Sequence, residues 1–89
     1  MVYFIIGHKP INLGGIMYYK RIRELREDKD MLQKDIAKLL NCSQVAYSRY
    51  ELGNRDIPTD VLITLAKFHN TSIDYLLGLT DISTPYKRK

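Results

Sequence analysis

The sequence predicts an all-α fold, a compact bundle of five short helices in one domain. Three observations predict it. Apolar residues recur at helical spacing in five separate segments. Each segment is bounded by residue types that start or stop helices. Two of the segments, within 33–53, lie so close together that only a tight turn can join them. The 89 residues suffice for one small domain, near the size at which a single core is marginal.

Residues 1–16 stand apart from this pattern. Val2, Tyr3, Phe4, Ile5 and Ile6 are β-branched or aromatic and suit a short strand, whereas Gly7, Pro10, Asn12, Gly14 and Gly15 are turn formers that predict an irregular leader. Two origins are open. One is an arm that pairs with another chain through an adhesive strand edge. The other, which is the preferred expectation, is an extension ahead of a natural start at Met17, since Leu13-Gly14-Gly15 before Ile16-Met17 can be encoded by a purine-rich ribosome-binding sequence read in frame.

The domain proper is expected over 17–81. Its first helix is predicted over 18–29, with Tyr18, Ile22 and Leu25 on one face at i, i+4, i+7 and the charged residues largely opposite. After a connection over 28–32, Ile36, Ala37 and Leu40 mark the buried face of a second helix, and Asn41 ends it because Asn tolerates the left-handed backbone. Cys42, without a second Cys or a nearby His, reads as a small, partly buried apolar residue of the turn. Ser43 caps a third helix that turns Ala46, Tyr47 and Tyr50 inward and leaves Gln44, Val45, Ser48 and Arg49 outside. Thr59 is the expected N-cap of a fourth helix with Val61, Leu62, Leu65 and Ala66 on its apolar face. Ser72 caps a short fifth helix with Ile73, Leu76 and Leu77 inward and Gly78 at its end. Ser83 to Lys89 is polar and contains Pro85, and residues 82–89 are expected to form a flexible basic tail.

Composition excludes several classes. The hydrophobic share of 45% is ordinary for a globular protein, and no apolar run approaches the roughly 20 residues a bilayer requires. A single cysteine cannot form an internal disulfide, so a cytoplasmic location is expected. No paired carboxylates, Cys-His constellation, phosphate loop or metal-ligand cluster is visible, which argues against an enzyme, a metal site or a cofactor. The net charge of +4 is a weak guide to partners, because all ten acidic residues lie within 17–81 beside ten Lys and Arg. The surplus sits on Lys9 and on Lys87, Arg88 and Lys89. A surface for an anionic partner must come from charge segregated within the fold or from the ends of the chain.

A set of landmarks then narrows the reading: Gln33 with Ala37, Ser43-Gln44, Ser48-Arg49-Tyr50-Glu51 with Gly53, Pro58, and Ser72 with Asp74-Tyr75-Leu76-Leu77-Gly78. In this order and spacing, over about 18–80, the chain resembles the phage-repressor or Xre-type helix-turn-helix domains. The resemblance implies a lambda-repressor-like DNA-binding fold whose second and third helices form the helix-turn-helix. It implies base contacts from Gln44, Val45 and Arg49, less firmly Ser48, and an ion pair of Arg26 with Glu51 joining the first helix to the end of the third. Two departures stand out. Leu32 occupies the place where the family has a capping Thr, Ser or Asn, so either Asp30 caps the second helix or its start is uncapped. Tyr47 replaces an Ile or Val, and its hydroxyl needs a partner at the protein edge or on a DNA phosphate.

The chemistry of these side chains suits the implied role. A glutamine offers an acceptor and a donor to adenine, an arginine two donors to guanine, and a valine packs on a thymine methyl. Backbone contacts are expected from Gln33, aided by the helix dipole, and from Asn54, Arg55 and the Ile57 amide in the loop after Gly53. One recognition helix reads only a few base pairs, so a homodimer on a roughly palindromic duplex is expected, with Leu76, Leu79 and Ile82 as its interface and residues 2–6 as a rival. The alternative is an antitoxin-like or adaptor module that grips a protein partner through the same apolar leader or tail.

Overall fold

The computed structural model describes residues 18–88, together with the backbone of two strands nearer the start. These are β1 (Tyr3–Ile6) and β2 (Lys9–Asn12), which pair antiparallel with Tyr3 opposite Asn12 and Ile6 opposite Lys9. The strand expected within 2–6 is therefore present over Tyr3–Ile6. The irregular leader is not what the structure has at Lys9–Asn12, where a partner strand outweighs the turn tendency of Pro10 and Asn12. The remainder of 1–17 lies outside the described residues.

Five helices follow: α1 (Lys20–Asp28), α2 (Gln33–Leu39), α3 (Gln44–Leu52), α4 (Thr59–Phe68) and α5 (Ile73–Leu76). All five end by the same device. A residue in the left-handed region follows or closes each helix (Asp30, Asn41, Gly53, Asn70 and Gly78, with φ between 53° and 76°). The next amide then donates back to a carbonyl five residues earlier, from Met31, Cys42, Asn54, Thr71 and Leu79 at 2.9–3.2 Å. Asp30 is thus a stop for α1 and does not cap α2. Leu32 precedes α2 with no capping side chain of its own, and Asp35 accepts from the Leu32 amide at 2.8 Å instead. Ser43 and Ser72 cap as expected, accepting from the Ala46 and Tyr75 amides at 3.0 Å. Thr59 does not cap: Pro58 takes that place and Thr59 is the first helical residue.

The core collects Ile22, Ile36, Ala37, Tyr47, Tyr50, Leu65, Ala66 and Leu76 from all five helices. Tyr18 is outside it, because α1 starts at Lys20 and leaves Tyr18 ahead of the first turn; Tyr19 packs against the core in its place. Cys42 is partly buried against the core, as expected. The tail is not loose over 83–88. The Thr71 hydroxyl donates to the Ser83 carbonyl at 2.6 Å, the Tyr86 hydroxyl to Asp74 at 2.6 Å, and Arg88 to the Thr71 carbonyl at 3.1 Å. No described helix is long and apolar enough to cross a membrane.

Candidate nucleic-acid interface

The turn between α2 and α3 is built from Asn41, Cys42 and Ser43, and it presents the outer side of α3 to solvent. Gln44, Val45 and Arg49 are exposed and Ser48 half-exposed. Val45 is 62% exposed, a large value for an apolar side chain on a helix whose other face is core. Gln44, Val45, Ser48 and Arg49 line one shallow concavity together with Gln33 from the start of α2 and Asn54 from the loop after α3. Six of the eight expected contact residues are therefore brought together. Arg55 and Ile57 are not among the lining residues; Arg55 is exposed and Ile57 packs against the core.

Three neighbours escaped the sequence reading. Leu52, 57% exposed, continues the outer stripe of α3 at i+7 from Val45. Lys34 and Lys38 lie one turn apart on α2 and line an adjoining concavity with Asn41, Ser43 and Gln44. Their four-residue spacing was the available signal. Neither concavity is lined by an acidic side chain, so Lys34, Lys38 and Arg49 are the charged groups that line them.

Beneath this surface lies an ionic network. Arg26 donates through Nε to Glu51 at 2.6 Å and through Nη2 at 3.1 Å, and both residues are buried. The expected pair thus joins α1 to the end of α3. Arg26 also donates to the Met31 carbonyl at 2.8 Å, and Gln33 Nε2 donates to Glu51 at 3.1 Å. Burial alone would push the Glu51 carboxyl up, but hydrogen bonds led by Arg26 outweigh it and hold the group below the usual carboxylate range. The same bond raises the Arg26 guanidinium above its ordinary value.

Tyr47 corrects an expectation. Its ring is wholly buried and its hydroxyl has no hydrogen-bond partner among the described residues, so it reaches neither the protein edge nor a phosphate. Burial, reinforced by the Glu51 carboxylate, pushes its pKa up. His69 is also buried, with both ring nitrogens unpartnered and Phe68 edge-on at 5.0 Å. Burial, reinforced by Lys29, lowers it to about 4.

At the other end of α1, Arg21 was not anticipated at all. It donates to the carbonyls of Tyr75, at 2.9 Å, and Thr80, pairs with Asp81 at 2.6 Å, and lies 4.0 Å above the Tyr75 ring. It thereby holds the segment after α5, on which Leu79 and Ile82 are 73% and 68% exposed. Leu76, the third residue expected at a dimer interface, is instead fully buried in the core, because its position in α5 faces α1 and α4. No group of three His, Cys, Asp or Glu among the described residues could hold a metal ion.

Two helices joined by a left-handed turn, with a capped second helix exposing a polar stripe, are matched over residues 22–76 by the helix-turn-helix family model. The chain belongs to the helix-turn-helix family. Its relatives place it with the phage-repressor or Xre type. It is 35% identical over 69 residues to the HTH-type transcriptional regulator YobD of Bacillus subtilis, covering 78% of this chain and 62% of that protein. It is 41% identical over 64 residues to the regulator ImmR of the same organism, covering 72% and 50%. The chain thus spans between half and two thirds of these relatives. Among solved structures, the P22 c2 repressor in complex with a synthetic operator matches with a TM-score of 0.61 and 33% identity, over 65% of this chain and 88% of that one. The solution structure of the P22 c2 DNA-binding domain matches with a TM-score of 0.62 and 28% identity, over 85% and 100%. This helix-turn-helix domain therefore has the lambda-repressor-like fold.

Proposed function

We propose that this helix-turn-helix domain binds double-stranded DNA sequence-specifically, as a repressor-like transcriptional regulator of the cytoplasm. The observation that carries this reading is the acid-free concavity in which Gln44, Val45, Ser48 and Arg49 of α3 stand beside Gln33 and Asn54. A major groove about 12 Å wide admits one helix, and a helix seated by its N-terminal half places Gln44 and Val45 at base edges. Gln44 then addresses adenine, Arg49 guanine and Val45 a thymine methyl, while Gln33, Asn54, Arg55 and the Ile57 amide meet the backbone. Lys34 and Lys38 add positive charge along one flank. The relatives named as transcriptional regulators and the operator-bound P22 c2 repressor support the same reading.

The active form is a homodimer on a roughly palindromic site, with Leu79 and Ile82 as its apolar contact, since these two side chains are exposed on a segment that Arg21 holds in place. A protein partner of another kind, as in an antitoxin or adaptor, is the second reading of the same exposed pair.

Selection of bound sequences from a random duplex library near physiological salt tests both parts. A two-fold motif that Gln44→Ala and Arg49→Ala each relax at particular base pairs, by about 1–3 kcal/mol, is the expected result. Binding that selects no motif and falls steeply with salt would overturn base reading.

A further inference from the structure

We infer that Glu51 is a positioning residue for the DNA backbone: its carboxylate, held by Arg26, fixes the Gln33 amide in the orientation that meets a phosphate. The inference deepens the DNA reading and rests on it. Gln33 lines the concavity beside Gln44 and Arg49, yet its Nε2 donates inward to Glu51 Oε1 at 3.1 Å. A primary amide has two N–H donors and one acceptor oxygen, and only its nitrogen can face a carboxylate. One N–H is therefore engaged inside, and the second N–H and the oxygen have no side-chain partner among the described residues, on a residue that also lines the concavity. A phosphate oxygen accepts and does not donate, so it takes the remaining N–H without any flip of the amide. A free glutamine side chain would have to be ordered on binding; this one is ordered beforehand.

Arg26 is what makes an acid usable in this place. A lone carboxylate beneath a phosphate would repel it, whereas the Arg26–Glu51 pair is neutral overall and its charged acceptor still holds the amide more firmly than a neutral one. Arg26 also fixes the approach to Gln33 along the main chain. Its Nη1 donates to the Met31 carbonyl, and the Met31 amide donates to the Arg26 carbonyl at 3.2 Å, two residues before Gln33. The same two side chains thus set both the backbone entering α2 and the amide at its first residue.

The test is a cycle of DNA affinities on a duplex selected by the wild-type chain. Gln33→Ala is measured in the wild type and in Arg26→Met/Glu51→Leu, a double substitution that removes the acceptor without leaving a buried charge unpaired. In the wild type, Gln33→Ala is expected to weaken binding about tenfold, with the salt dependence unchanged because glutamine carries no charge. The double substitution alone is expected to cost about as much, and Gln33→Ala added to it almost nothing. Equal losses from Gln33→Ala in both backgrounds would overturn the inference and leave DNA binding standing. Failure of the wild type to bind any duplex would overturn the DNA reading and this inference with it. A second measurement does not depend on the double variant folding: nuclear magnetic resonance of the wild type should show the Gln33 side-chain amide proton that faces Glu51 exchanging more slowly than its outward-facing partner before DNA is added. Equal exchange of the two protons would overturn the inference.

Discussion

Arg21 and Arg26 lie on one helix, five residues apart, and do opposite kinds of work. Arg26 is buried, and its partner Glu51 is buried with it, so the pair ties α1 to α3 underneath the proposed DNA surface. Arg21 is partly exposed, and its carboxylate partner Asp81 stands wholly in solvent. What holds Arg21 is the pair of carbonyls at Tyr75 and Thr80 and the face of the Tyr75 ring. A short N···O distance, 2.6 Å in both pairs, therefore says little about strength. Whether water can replace the lost partner decides it.

Removing Glu51 should have the largest effect on stability. Glu51→Ala leaves the Arg26 guanidinium buried without its counter-ion, and a loss of about 3–5 kcal/mol is expected in urea denaturation, a large part of the stability of a domain this size.

Acid should have the next largest effect, through His69. His69 titrates at about 4 in the folded chain against 6.5 for a free histidine. Between these values the unfolded chain binds the proton and the folded chain does not, so stability falls as pH falls from 6.5 toward 4, by about 3 kcal/mol at most. His69→Phe should flatten that slope. The Glu51 contribution is present above the ordinary carboxylate range and is lost only as pH falls further, through its depressed folded-state value. Denaturation followed downward from pH 7 should therefore show a loss between 6.5 and 4 in the wild type that His69→Phe lacks, and in both chains a further loss at lower pH.

Arg21→Ala should have the smallest effect of the three, about 1–2 kcal/mol from two carbonyl bonds and one ring contact. Its companion Asp81→Ala should be indistinguishable from wild type. If Asp81→Ala proved as costly as Arg21→Ala, the carboxylate, and not the two carbonyls and the ring, would be the anchor of Arg21.

The helices were legible in the sequence because their signals are local. Apolar spacing located α1 to α5, the caps at Ser43 and Ser72 stand where a serine precedes each helix, and Asn41 stops α2 as its tolerance of the left-handed backbone suggests. Errors of one or two residues arose where such signals overlap. Thr59 follows a proline that takes the capping place, and Tyr18 falls just ahead of the first turn. The outer face of α3 was equally legible, since an inward stripe of Tyr47 and Tyr50 assigns the remainder by subtraction.

What stayed hidden depends on contacts between distant parts of the chain. Arg21 meets Tyr75, Thr80 and Asp81 across 54 to 60 residues, and no periodicity marks a lysine or arginine for such a role. Leu76 reads as inward from its place in the fifth helix and is expected at an interface as well; packing leaves it only the first role and leaves Leu79 exposed. The tail reads as loose by composition and is held by three side chains whose partners belong to residues 71 to 83.

The left-handed residue Asn41 has a mechanical consequence. It is the joint on which α3 pivots, and a helix of nine residues is a lever about 13 Å long. A swing of about 5° there would carry the far end of α3 through about 1 Å and Arg49, partway along, through somewhat less, a displacement that matters for the proposed bonds to a base. Two torsion angles at one asparagine, held by the bonds from the Asn41 amide to Lys38 and from the Cys42 amide to Ala37, thus share the aiming of α3 with its core tyrosines and with the Arg26–Glu51 pair.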